Sequence, residues 1–416
     1  MAKHLFIILL IFCLSSCGGS GASQQAVVGN QWTVMVYMAA DNNLDISAPL
    51  DVQEMLDIGS TANVTVLVQF DSRTTPTRRY RIDKGQLVLL QDLGEQNMAS
   101  PDTLRDFIQY GVTSHPAGHY ALILSSHGDG WQSGVDGVYK RVQSILEDWN
   151  NTNVKTSPLP NFAVAAGIRA AGTLTGVKLD ILGVDACIMA TLEAAYEFRD
   201  SADILIASQD LVQGQGWDYR DLLGRLTAQP AMNPRELATA IVDSYRSFSE
   251  STAWGYGNQT ISALTLGSGI EAVAKEVDAL SMRVKAFLDD PTTRDAAVQM
   301  ITNARLNTQQ LSPPTHVDLY DFSTKLEPGA SMTPLQTALK TITIAEYHGS
   351  KRPNAHGLNI VFYDLPATVA SSVYGFDYVN YDPTTRKGSH SSFINDFNWD
   401  EMMSDYFTSK YPEYFR

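Results

Sequence analysis

The sequence predicts an α/β fold: an α/β/α sandwich wound around a mostly parallel sheet, followed by a C-terminal α+β region. Three observations carry this reading. Short apolar β-rich runs alternate with stretches of helical periodicity from Trp32 to about residue 208, and such strands separated by helices form a parallel sheet covered on both faces. At 44% hydrophobic and 18% charged residues, the composition is that of a folded body. Two of the apolar runs end in "SSHGDG" and "GVDAC", and open parallel sheets form their sites outside the carboxyl ends of the strands.

In chain order, residues 1–16, "MAKHLFIILLIFCLSS", carry Lys3 and then an apolar run from Leu5 to Leu14. That run is too short to span a bilayer and reads as a secretory signal. It closes on "LSSC", which resembles the bacterial lipobox and implies lipidation at Cys17 after cleavage before it. Residues 17–30, small, polar and glycine-rich, act as a flexible tether. The body starts at Gln31 and exceeds one usual domain, so a core over 31–268 and a C-terminal region over 269–416 are expected.

Within the core, "WTVMVYMA" (32–39) and "NVTVLVQF" (63–70) are strands flanking a helix near 46–58. "RRYRID" (78–83) and "QLVLL" (86–90) around Lys84-Gly85 form an edge hairpin. A helix near 101–114 leads to the strand "YALILSS" (120–126), and residues 132–158 form a long polar excursion. A helix near 160–171, the strand "KLDILGVDA" (178–186), a helix near 188–199 and the strand "ADILIAS" (202–208) follow. Beyond "NQTISALTL" (258–266) come helices near 268–289 and 291–306, then the strand-like "HGLNIVFY" (356–363).

The formal charge of -15 argues against nucleic acid and anionic membrane surfaces and favours cationic ligands. No zinc pattern exists, and His115 and His119 have no partners at ligand spacing. The loop "DNNLD" (41–45) is not an EF-hand, since Ile46 replaces the glycine and Val52 the closing glutamate. Of the three cysteines, Cys13 leaves with the signal and Cys17 is committed to the anchor, so Cys187 has no disulfide partner.

A lone cysteine is most often a packing residue, but the placement of Cys187 suits chemistry. His127 follows one core strand, with Gly128 and Gly130 allowing close backbone approach. Cys187 ends another and is expected just before a helix, whose N-terminus favours thiolate. On adjacent strands the pair forms a cysteine-histidine dyad, and the amides of Gly128 and Cys187 are candidate oxyanion donors.

The segments "HPAGHYALILSSHGDGW" (115–131) and "LDILGVDACIMATLEAAYEF" (179–198) resemble those of the clostripain-like cysteine peptidases, relatives of caspases, gingipains and legumains. "WTVMVYMAADNNLD" (32–45), "SQDLVQGQGWDY" (208–219) and "HVDLYDF" (316–322) match the same family in order. The resemblance implies a caspase-like fold, with His127 as general base and Cys187 as nucleophile. It also implies cleavage after Arg or Lys through pocket carboxylates, for which Asp185 and Asp218 fit, and self-cleavage between the two strands at Lys140 or Arg141. Ser125-Ser126 before the histidine and the absence of a proline in "LVQGQGW" depart from the family pattern.

No cofactor is required by this reading. Because some relatives depend on calcium, a calcium site is left open, with Asp41 and Asp45 as candidate ligands. The expectation is a lipid-anchored cysteine endopeptidase of a bacterial envelope, acting on peptides or proteins with Arg or Lys at the cut. Gly18 and Gly19 after the anchor carry no acidic inner-membrane retention signal, which favours the outer membrane. The competing readings are a surface module that binds cationic peptides without turnover, and an amidase or transpeptidase sharing the dyad.

Overall fold

A computed structural model of the chain describes residues 29–130, 144–149, 158–251, 257–312, 314–326, 332–362 and 391–415. Its strands are β1 (Trp32–Ala40), β2 (Val64–Ser72), β3 (Thr75–Asp83), β4 (Gln86–Asp92), β5 (His119–Ser125), β6 (Ser144–Ile145) and β7 (Leu159–Pro160). Then come β8 (Leu179–Asp185), β9 (Ala202–Ala207), β10 (Thr260–Thr265), β11 (His316–Asp318), β12 (Thr343–His348) and β13 (Asn359–Val361). Nine of them form one sheet in the order β12-β10-β9-β8-β5-β1-β2-β3-β4. The central strands β2, β1, β5, β8 and β9 run parallel, and antiparallel strands close both edges.

The chain builds outward from β1 to β2, then returns to β5 on the other side of β1. This reversal opens a crevice at the carboxyl ends of β1 and β5, the usual place for a site in such sheets.

Alternation along each strand sorts the core into two layers. Val34, Val36, Ile123, Ile181 and Ile206 face α1 (Ala48–Ile58), α5 (Tyr219–Ala228) and α6 (Pro234–Ser251). Met35, Tyr37, Leu122, Leu182 and Leu205 face α2 (Pro101–Ser114), α3 (Asn161–Thr175), α4 (Leu192–Glu197) and α7 (Ser268–Asp289). Every residue of β1 is buried, which is why it reads as an unbroken apolar run.

Several expectations are adjusted. The helix after Cys187 begins at Leu192, capped by Thr191, whose side chain accepts from the Ala194 amide. Ile188 has φ 61°, a left-handed conformation that a helix excludes and a β-branched residue rarely adopts. Its amide is taken by the Asp210 carbonyl and that of Ala190 by the Ser208 carbonyl, so the chain turns through a bracket instead. Cys187 therefore does not sit at a helix N-terminus, and no helix dipole lowers its pKa.

Within the polar excursion, residues 144–149 are held against the strand ends. Ile145 and Leu146 are buried, and the Glu147 amide donates to Ser126 Oγ.

The expected boundary near 268 falls between β10 and α7, yet the two regions share one core and one sheet. After α8 (Arg294–Asn307), α9 (Leu319–Lys325) and α10 (Thr333–Ile342), β12 returns to pair antiparallel with β10. Trp399, Tyr406 and Phe407 of the helix Trp399–Lys410 join the layer built on α7. Among the described residues, no helix is long and apolar enough to cross a membrane. Cys17, Lys140 and Arg141 lie outside the described residues.

Candidate active site

Register places the two reactive side chains side by side. Ser125 on β5 is the parallel partner of Asp185 on β8, and two residues further along each strand stand His127 and Cys187. Neighbouring strands are about 4.8 Å apart, so both residues leave the sheet at one level. They line a single cavity of about 240 Å³ with Asn43, Ser47, Asp51, Ser125, Asp185, Val212, Gln213, Gly214 and Gly216. A cavity of that size takes one long side chain rather than a whole small molecule, whose pockets start at roughly 300 Å³.

His127 is oriented from β1. Its Nε2 lies 2.7 Å from Asn43 Oδ1, an oxygen that can only accept, so Nε2 carries the proton and Nδ1 is the basic nitrogen. The turn that presents Asn43 is fixed by buried Asn42, whose Nδ2 donates to the Ala39 and Glu147 carbonyls and whose Oδ1 accepts from the Leu44 amide. Ser126 Oγ donates to the Ala39 carbonyl, so the serine directly before the histidine ties the end of β5 to β1. Sequence reading did not find Asn43, because its contact spans 84 positions.

Cys187 is a free, partly buried thiol. The Val212 amide donates to its Sγ at 3.3 Å. Burial pushes its pKa up, as do Asp129, Asp185 and Asp210, while the Val212 amide pulls it down. The resting species at neutral pH is therefore the thiol.

Gly128 presses against the Cys187 backbone so closely that an added Cβ would sit 2.7 Å from the Cys187 carbonyl oxygen. The backbones of the two expected oxyanion donors are thus packed against each other.

The bracket over the cysteine explains two of the quoted motifs. Asp210 is fully buried, accepts from the Leu211 and Ser312 amides, and pairs with Arg352 Nε at 2.5 Å. Gln209 Nε2 donates to Asp318 Oδ2 at 2.9 Å, and Asp318 also accepts from the Asp321 and His356 amides. "SQD" and "HVD" are therefore one polar frame that fixes the loop carrying Val212.

Asp185 stands at the floor of the cavity, 5% exposed. Its Oδ2 accepts from the Trp217 amide and from Tyr219 Oη, both at 3.1 Å. Its Oδ1 is buried with no hydrogen-bond partner, a condition that costs free energy until a donor arrives. Burial pushes its pKa up to about 6 against the pull of those two donors. Gly216, at φ 61°, crosses this carboxyl so closely that a Cβ would meet Oδ2 at 2.6 Å.

Asp51, from α1, lines the same cavity and is 7% exposed. Burial, then the charges of Asp185 and Glu54, push its pKa up to about 9. At neutral pH the pair of aspartates therefore carries one negative charge, on Asp185. Asp51 escaped sequence reading because it sits among ordinary residues of an amphipathic helix.

Asp218 is not among the cavity residues: its Oδ1 accepts from the Asp221 amide and caps α5. A wider groove of about 900 Å³ beside α5 and α6 is remote from both strand ends, and its Arg225 and Asp221 pair with each other. His119 pairs with Asp180, away from the cavity.

The model of the clostripain family, peptidase family C11, matches residues 36–405. Clostripain from Hathewaya histolytica is 28% identical over 232 residues, which is 48% of this chain and 43% of that protein. The chain thus spans less than half the length of the curated relative it matches. Among solved structures, a secreted C11 cysteine protease from Bacteroides thetaiotaomicron, in complex with an irreversible peptide inhibitor, has a TM-score of 0.62 at 18% identity. That match covers 80% of this chain and 93% of the other. An inactive zymogen C11 protease from Parabacteroides distasonis has a TM-score of 0.59 at 19% identity, covering 80% and 92%. At these identities the two structures speak for the fold alone.

Proposed function

The chain belongs to the clostripain family, and on that footing we propose that it is a cysteine endopeptidase cleaving after Arg or Lys. The observation that carries the proposal is the cavity itself, where His127 and Cys187 leave adjacent strands above a buried carboxylate, Asp185, with one oxygen unpartnered.

A P1 side chain enters the cavity, and its cationic end meets Asp185, with Asp51 beside it. A guanidinium or ammonium supplies the missing donor and the missing charge together, and a charge-assisted bond of this kind is about twice as strong as a neutral one. Sγ attacks the scissile carbonyl carbon as its proton passes to His127 Nδ1. Because burial holds Cys187 as a thiol, proton transfer accompanies attack rather than preceding it.

The amides of Gly128 and Cys187 stabilise the oxyanion. Collapse of the tetrahedral intermediate expels the amine with the proton from His127. Water, deprotonated by His127, then opens the thioester and restores the thiol. Asn43 keeps the protonated nitrogen turned away from this traffic.

The test is turnover of paired fluorogenic peptides ending in Arg, Lys, Asp and Leu by the full chain and by Cys187→Ala. Cleavage after Arg or Lys that vanishes in the variant is the expected result. Cleavage after Asp or Leu would overturn the pocket assignment, and binding of basic peptides without cleavage would favour the display-module reading.

We further propose that the protein is an exported lipoprotein of the bacterial envelope, anchored in the outer membrane through Cys17. The lipobox-like "LSSC" and the glycine-rich tether support this. Cys17→Ser should move it from the membrane to the soluble fraction.

The chain cuts itself at Lys140 or Arg141, between the strand ends that carry His127 and Cys187. Two adjacent basic residues in the polar excursion between those strands support this. Two fragments on a denaturing gel, becoming one chain in the Lys140→Ala, Arg141→Ala double variant, is the expected pattern.

A further inference from the structure

The turn and helix that follow β1 present two faces to two cavities. Asn43, Ser47 and Asp51 line the catalytic cavity, whereas Asp45, Pro49, Val52 and Gln53 line a second one, of about 450 Å³, on the other side of the same wall. The lining of this second cavity is largely apolar. Leu56 of α1, Val68 and Phe70 of β2, Tyr80 of β3 and Leu87 of β4 surround it, and Leu56, Phe70 and Tyr80 are half-buried against the core layer beneath α1. Ser72 and Thr74, at the carboxyl end of β2, border it with Asp45. The groove therefore reaches the end of the sheet from which His127 and Cys187 emerge.

Large apolar side chains also stand in water around it. Ile46 and Leu50, on the wall between the two cavities, are 85% and 61% exposed, and Leu87 is 41% exposed. Exposed apolar groups beside an apolar cavity mark a binding surface rather than a solvated face. Its cation Arg78 is already paired with Asp92 at 2.9 Å, so the charge left at the rim is that of Asp45.

The chemistry of the neighbouring cavity dictates which part of a substrate passes here. Sγ takes the scissile carbonyl carbon and His127 protonates the amine that leaves, so the bond being cut lies with its carbon toward β8 and its nitrogen toward β5. The segment on the amine side then runs from β5 over β1 and β2, the neighbours in the sheet, while the acyl side runs over Cys187 and the Val212 loop. Strands about 4.8 Å apart put β2 and β3 roughly 10–15 Å from His127, and an extended chain covers about 3.4 Å per residue. The third to fifth residue after the cut arrives at the groove.

We propose that the groove between α1 and the β2-β3-β4 edge binds the leaving segment of a protein substrate, taking a large apolar side chain about four residues beyond the cut. The proposal rests on the peptidase reading, because the direction of the peptide comes from the roles of His127 and Cys187. Asp45 at the rim disfavours an acidic residue at that position. A second copy of this chain is the poorer occupant, since each copy carries a formal charge of -15 and like net charge opposes self-association.

The experiment measures kcat/KM of the full-length chain on internally quenched peptides that share Arg at the cut and carry Leu, Gly or Glu as the fourth residue beyond it. A short Arg peptide, whose fluorogenic amine leaves with no segment after it, runs beside them. Leu should exceed Gly roughly tenfold or more, the effect of moving a leucine side chain out of water, and Glu should fall below Gly. Moving a single Leu along a segment of glycines should give its maximum at the third to fifth position. In Leu87→Glu, which puts a charge at an exposed position of the groove, the Leu-to-Gly ratio should collapse to near one, whereas Leu174→Glu, at an exposed leucine of α3 on the opposite layer, keeps it. Each ratio is taken within one protein, so a general loss of activity cancels, and the wild-type series stands even where a variant fails to fold. Equal cleavage of the Leu and Gly peptides, with the short peptide cleaved, overturns the groove and leaves the peptidase reading standing. No cleavage of any Arg peptide overturns both. A Leu preference that survives in Leu87→Glu overturns the assignment to this groove, and a wild-type dimer that Leu87→Glu converts to a monomer, with no Leu preference, makes the face an interface between copies instead.

Discussion

Replacing Asp185 by Asn separates charge from shape at the floor of the cavity. The amide oxygen of Asn still accepts from the Trp217 amide and Tyr219 Oη, which hold Oδ2 at 3.1 Å. The amide nitrogen replaces the unpartnered oxygen, so a donor faces the incoming guanidinium where an acceptor stood. Truncating one member of a buried charge pair costs about 2–5 kcal/mol. The lower half of that range applies, because removing the Asp185 charge relieves one of the influences that keep Asp51 protonated, and Asp51 then supplies part of the missing charge. At 1.36 kcal/mol per factor of ten, kcat/KM for an Arg substrate should fall roughly 30- to 300-fold. The assay compares Arg with citrulline at P1, which has nearly the same volume and no charge; the citrulline peptide should be cleaved by the variant within about threefold of wild type. An equal loss on both peptides would mean that Asp185 only braces the Trp217 loop. Unchanged cleavage of the Arg peptide would place the basic pocket elsewhere.

The ratio of kcat/KM for Arg over citrulline should fall as the pH drops through about 6, because Asp185, with its pKa raised to about 6 by burial, then takes up a proton and the pocket becomes neutral; pH effects common to both peptides cancel in the ratio. Asn43→Ala should lower kcat about 10- to 100-fold by releasing the imidazole, and Asn43→Asp should restore most of it while raising the pKa of the acid limb, a pair of effects that a purely structural residue would not produce. Asp318→Ala should lower the unfolding free energy in urea by about 3–5 kcal/mol, since Gln209, His356 and the Asp321 amide lose a fully buried acceptor. Asp318 also raises the His356 pKa, so in wild type that pair's contribution is complete below the ordinary histidine pKa and declines as pH rises through the raised value, a slope the variant should lack.

The strands, and the placement of His127 and Cys187 at the ends of two of them, were legible because burial on both faces writes long apolar runs. The sheet order was not, since nothing local to β12 says that it returns to pair with β10 across the intervening helices. Asn43 and Asp51 were hidden for a common reason: their partners are brought by topology, and each looks like an ordinary polar residue in its own segment. The helix after Cys187 was placed too early because the spacing of Leu192, Ala195 and Tyr196 is helical, while the left-handed turn at Ile188 leaves no mark in periodicity. Asp218 was open to a better reading, for an acid three residues before Asp221 at the head of "YRDLLGRL" has the pattern of a helix N-cap.

The frame around Cys187 also sets when the site comes into being. The bracket that positions Val212 closes only when Asp210 meets Arg352 and Gln209 meets Asp318 and the Gly357 amide. During synthesis the thiol and imidazole leave the ribosome long before those partners do, so a growing chain carries its reactive groups without the scaffold that makes them act together. The loop over Cys187 is thus fixed only once a residue 142 positions beyond Asp210 has folded against it.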